Sequence, residues 1–176
     1  GCEWACVRVR VYRTPQKKKI VVLDLSMLRA SLLGGVDGVV TSFAVAAGSE
    51  AGELGTRVAV IIGTSSVLAD GVSMGISEFL SSSGERAYAG KGESPALLGA
   101  ACFLSFLVCG IVPLGTYVAF NLLACAMFSL TTLMLLGIAR ALVSGELPLF
   151  GLAQTSALGA VAGAVAYGVG LLAHAL

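Results

Sequence analysis

The sequence predicts an all-α integral membrane protein of five transmembrane helices. Three observations carry that prediction. Hydrophobic residues make up 57% of the 176 residues and charged residues only 12%, against roughly 25% charged in an ordinary soluble domain. Five separate apolar stretches reach the ~20 residues that a bilayer crossing needs. Glycine is abundant, at 23 residues, and small residues are what lets membrane helices approach closely.

Taken in order, residues 1–26 form a basic tail, and residues 27–176 form one five-helix membrane domain. The chain begins at Gly1, and its first residues lack the apolar core of a secretory signal. The tail therefore reads as a cytosolic segment. The first apolar span covers 28–48, the second 58–82 and the third 95–118. A turn near 117–121 leads to a fourth span that ends near 143, and the fifth covers 147–174. Each boundary is set to within about 2–4 residues. No charge lies between Glu93 and Arg140, a run too long for one crossing. Pro113, Gly115 and Asn121 are the turn signals inside it.

Charge placement sets the orientation. With the N-terminus in the cytosol, that side holds Arg8, Arg10, Arg13, Lys17, Lys18, Lys19, Arg29, Arg86, Lys91 and Arg140. The opposite side holds Arg57 alone. This is the positive-inside pattern, and it fits an odd number of spans. The net charge is only +1, so composition gives no footing for a nucleic-acid partner. The expected surroundings are the lipid bilayer. The five cysteines, Cys2, Cys6, Cys102, Cys109 and Cys125, contain no CxxC pair. Three of them fall in apolar runs, and they read as small packing residues.

Acidic residues stand where acid is costly. A carboxylate at bilayer depth costs at least ~2.5–3.5 kcal/mol. Asp37 lies in the first span, and Asp70 and Glu78 lie in the second. Asp70, Met74 and Glu78 are spaced by four, so they share one helix face. Ser66, Ser73, Ser77 and Ser81 lie on or beside that face. Counting in from the cytosolic ends at 1.5 Å per residue puts Asp37 and Met74 both roughly 13 Å deep. The expectation is thus that they sit at one level, with Glu78 a turn toward the cytosol and Asp70 a turn beyond. Carboxylate oxygens with a thioether suit a first-row transition metal better than magnesium or calcium. Acids in a low dielectric also hold protons, and metal and proton compete for the same ligand. Asp37 and Asp70 are the candidates for proton coupling. The bland alternative is packing for Met74, and a protonated, hydrogen-bonded acid between helices for any one carboxyl.

Gly34 and Gly38, Gly71 and Gly75, and Gly159 and Gly163 are each spaced by four, which suits close helix packing. His174 ends the fifth span as an interfacial residue, and Glu50 and Glu53 read as solvated loop charges. No nucleophile elbow, zinc-protease, phosphate-loop or dinucleotide motif is present. Neither an enzyme nor a bound cofactor is expected.

Two runs resemble a known family. Leu28-Arg29-Ala30-Ser31-Leu32-Leu33-Gly34-Gly35-Val36-Asp37-Gly38 is similar to the first-span motif of vacuolar iron transporters. Leu68-Ala69-Asp70-Gly71-Val72-Ser73-Met74-Gly75-Ile76-Ser77-Glu78-Phe79-Leu80-Ser81 looks like their second-span motif. The likeness extends from about Leu28 to His174. It implies a five-helix homodimer that moves ferrous iron, with manganese as a second candidate ion. It implies passage out of the cytosol into a vacuole-like acidic store, or out of a bacterial cell, by proton exchange. Asp37 and Met74 match positions lining the family's path, and Glu78 matches an acid near the cytosolic entrance. The connection from Gly84 to Ser94 is too short for the glutamate-rich cytosolic domain of the plant members and resembles the shorter nodulin-like branch. Some members also carry an acid where this chain has Ser66. The rival function is a membrane scaffold or assembly partner without transport.

Overall fold

The computed structural model describes residues 19–89 and 93–176. Among them are five helices, α1 (Lys19–Ala51), α2 (Thr56–Ala89), α3 (Pro95–Ala119), α4 (Leu122–Ser144) and α5 (Pro148–Ala175), and no strand. All five are long and apolar enough to cross a membrane. The basic residues of the tail up to Lys18 lie outside the described residues.

Local chemistry fixes the ends. Pro95 and Pro148 occupy first-turn positions of α3 and α5, where a missing N–H costs nothing. Asn121 starts α4, its side chain accepting a hydrogen bond from the Ala124 N–H at 2.8 Å. Gly145 ends α4 with φ 72°, the left-handed conformation that glycine adopts freely. Of the three turn signals in the long uncharged run, only Asn121 marks a turn. Pro113 is buried within α3, and Gly115 lies in the same helix. Phe120 and Asn121 alone connect α3 to α4.

α1 and α2 are longer than the apolar spans suggested, with 33 and 34 residues against the ~20 of one crossing. α1 gains its length at its N-terminal end, and α2 at its C-terminal end. The helices are antiparallel neighbours, so both extensions project on one side of the bundle. Hydropathy could not see this, because those turns carry charged and polar residues such as Lys19, Asp24, Glu85 and Arg86.

Glycine faces set the packing. α1 lies between α3 and α5 and also touches α2 and α4, whereas α2 touches only α1 and α3. A Cβ on Gly34 or Gly38 would collide with the backbone oxygen of Cys102 or Phe106 on α3. Gly71 and Gly75 receive Phe103 and Gly99, also on α3. Gly163 accommodates the ring of Phe43 on α1, and Gly159 the side chain of Leu133 on α4. The first two glycine pairs therefore press α1 and α2 onto α3, not onto each other. Lipid is as apolar as leucine, so this close contact, and not solvent exclusion, holds the helices together. Thr155 adds one polar tie, its buried hydroxyl donating to the Leu133 carbonyl oxygen at 3.0 Å.

Candidate functional site

The four acid-and-thioether residues occupy the α1–α2 side of the bundle. Asp37 and Asp70 are exposed in the single chain, and Met74 and Glu78 are half-buried. Ser73 and Ser77, also exposed, continue the polar stripe along α2. These side chains face outward because the opposite face of α2, with Gly71 and Gly75, is taken up by α3.

The register departs from the depth count. Gly38 and Gly71 both close on Phe106, which sets Asp37 abreast of Asp70. Met74 packs against both the cluster that holds Cys102, the residue facing Gly34, and the cluster that holds Phe106, the residue facing Gly38. Met74 thus lies between the level of Asp37 and one about a turn nearer the N-terminal end of α1. Counting residues from span ends assumes two parallel cylinders cut at one plane. Here the ends of α1 and α2 lie beyond the apolar limits, and both helices take their height from α3.

Among the described residues, no three His, Cys, Asp or Glu side chains close into a metal-holding group. The donors that stand beside the acids are the Met74 thioether and the serine hydroxyls. An apolar groove of about 320 Å³ between α2 and α3 is lined by Gly75, Phe79, Gly99 and Phe103 among others, and none of the four candidates lines it.

Other polar contacts escaped the sequence. Glu50 belongs to the last turn of α1 and accepts a hydrogen bond from the Tyr117 hydroxyl at 2.7 Å, so it is not a free loop charge. His174 lies 4.0 Å from Glu53. Ser105 donates to the Ser31 carbonyl oxygen at 2.6 Å, tying α3 to α1 a turn from Gly34. A tyrosine near a span end is the usual interfacial signal, but nothing in the sequence names its acceptor.

A family model described as the VIT family matches residues 28–92 and 89–171. The chain is similar to the vacuolar iron transporter of Toxoplasma gondii (strain ATCC 50861 / VEG), 37% identical over 59 residues, which are 34% of this chain and 20% of that protein. It is also similar to the vacuolar iron transporter of Plasmodium falciparum (isolate 3D7), 34% identical over 64 residues, 36% of this chain and 23% of that one. The matched stretch spans only about a fifth of the length of these relatives.

Proposed function

The chain belongs to the VIT family, and from that premise we propose that it carries ferrous iron through the membrane along the Asp37–Asp70–Met74–Glu78 stripe. The observation that supports this most is the exposure of Asp37 and Asp70 on helices long and apolar enough to cross a bilayer. A carboxylate there is expensive against lipid, and a packing role needs no acid. Oxygen ligands beside a thioether fit a borderline divalent ion, and manganese is the second candidate. The named function of the relatives, vacuolar iron transport, is in line with this.

A second copy of the chain is the natural cover for the stripe. Exposed Asp70, Ser73 and Ser77 cannot rest against acyl chains, and a partner stripe would double the donors available. The proposed unit is therefore a homodimer with the acids at its interface. The asymmetry of Lys and Arg supports a cytosolic N-terminus and export into an acidic compartment or out of the cell. Proton exchange follows from chemistry, because an acid must lose its proton to hold the metal. Asp37 and Asp70, each of which immediately precedes one of the two glycines that close on Phe106, are the coupling pair.

The test is ferrous iron uptake by proteoliposomes with an acidic interior and verified sidedness. Asp37→Asn is expected to lower the initial rate by at least about tenfold, and dissipating the pH gradient to abolish accumulation. Wild-type protein that is folded and correctly oriented, yet moves neither iron nor manganese, would overturn the proposal in favour of a scaffold.

A further inference from the structure

The apolar groove between α2 and α3 lies on the flank of α2 that turns away from the acid stripe. Phe79, which lines it, and Asp70 of the stripe are nine residues apart, half a turn out of phase on a helix of 3.6 residues per turn. A partner copy seated on the stripe therefore leaves the groove open to lipid. Buried Gly75 and Gly99 form its floor, where a Cβ on Gly99 would lie 2.6 Å from the Gly75 carbonyl oxygen. No polar side chain lines it.

Its length and depth match one leaflet. The lining runs from Val72 to Phe79 on α2 and from Ala96 to Phe103 on α3, about 10 Å along each helix at 1.5 Å per residue. Half of a ~30 Å hydrocarbon core is ~15 Å. α3 starts at Pro95, one residue before the first lining residue, so the groove begins at the membrane boundary and runs inward. That is the course of an acyl chain anchored at the surface.

A cation stands over the mouth. Arg86 lies seven residues beyond Phe79, nearly two full turns, and so returns to the groove face. It is exposed, in the last turn of α2. Side chains on a helix tilt toward its N-terminus, which for α2 means back toward the membrane. The two ion pairs among the described residues are Arg140–Glu146 and His174–Glu53, so neither Glu85 nor Glu93 neutralises Arg86. The positive end of α3 opens at the same mouth, with no side-chain cap from Ser94.

We propose that this groove holds one acyl chain of an anionic phospholipid from the leaflet on the Arg86 side, with the lipid phosphate on Arg86. Guanidinium and phosphate make strong, charge-assisted hydrogen bonds, and the chain fills a slot that no side chain of the protein fills. The site needs only that α2 and α3 span a bilayer. It does not depend on iron transport.

The experiment uses the full chain in nanodiscs of phosphatidylcholine doped with phosphatidylglycerol, or with matched phosphatidylcholine, carrying a photoactivatable group in the acyl chain. Crosslinked peptides are mapped by mass spectrometry. Label from phosphatidylglycerol is expected on residues 72–79 and 96–103, about fivefold above that from phosphatidylcholine. Arg86→Gln is expected to bring the two lipids level, and Arg86→Lys to keep the preference. Ala100→Leu, at an exposed lining position, fills the groove and is expected to remove label of both kinds from it. Arg140→Gln, whose guanidinium already binds Gln154, leaves the labelling unchanged. Equal labelling by the two lipids in the wild type, or the same preference in Arg86→Gln, would overturn the site. So would equal losses from Arg86→Gln and Arg140→Gln, or full labelling of the groove in Ala100→Leu. Chain-to-chain crosslinks through the groove in place of lipid label would assign it to a second copy and overturn the proposal too. Lipid labelling as expected without iron uptake would sink the transport reading alone.

Discussion

α2 and the α4–α5 side are both largely exposed in the single chain, yet what they expose differs. On α4 and α5 the outward residues are mostly apolar, Leu123, Met127, Leu135, Leu142, Val161, Val165 and Leu172 among them, with Thr131 bonded to its own helix and Gln154 to Arg140. On α2 they include Asp70, Ser73 and Ser77 among leucines and isoleucines. Exposure on the first side is what a helix facing lipid requires. The same exposure on the second side is unfinished, because hydrocarbon offers no partner to a carboxylate or hydroxyl. Burial in one chain thus says little about a membrane protein until chemistry is read with it.

The sharpest way to break this comparison is to place a new acid on each side. Val161→Asp, central on the exposed face of α5, is expected to cost ~2.5–3.5 kcal/mol and to cut the yield of inserted, folded protein. Ser73→Asp on the polar stripe is expected to cost less than about 1 kcal/mol and to fold normally. Equal losses in a membrane-unfolding assay would show that both faces meet lipid. The next effect concerns glycine. Gly38→Ala drives a Cβ into the Phe106 carbonyl and should destabilise by about 1–3 kcal/mol. Gly115→Ala meets nothing within 4 Å and should be neutral within about 0.5 kcal/mol. The smallest effect is expected at the Glu50–Tyr117 contact, where Tyr117→Phe removes one hydrogen bond worth about 1 kcal/mol. A Tyr117→Phe loss as large as that of Gly38→Ala would mean that polar ties, not backbone contact, hold α1 to α3.

Much of the fold was legible because a bilayer imposes it. Five apolar runs, the glycine spacings and the acids at depth can all be counted, and the helix count follows from the first. What could not be counted is relational. The spacing of Gly71 and Gly75 signals a packing face, but not that Phe103 of α3 fills it. Asp37 and Met74 have the same sequence depth, yet α3 sets their heights, and no residue in α1 or α2 records that. Cys102 reads as a packing thiol, and it is one, but nothing in the sequence says that Ala30 and Leu98 are its neighbours. The likeness to vacuolar iron transporters pointed to Asp37, Met74 and Glu78, and Asp70 came from its depth and spacing alone.

The two-residue link between α3 and α4 has a mechanical consequence. Three backbone steps from Ala119 to Leu122 span at most about 10 Å, so these helix ends cannot part. At the same face four residues, 52–55, join α1 to α2, and Tyr117 clasps Glu50 across α1 and α3. That face is the one where the helices are tied, so any rocking of α1, α2 and α3 would leave it nearly still and swing the opposite ends, where α1 and α2 project furthest. A small tilt at the acids would then become a wide excursion at Arg86.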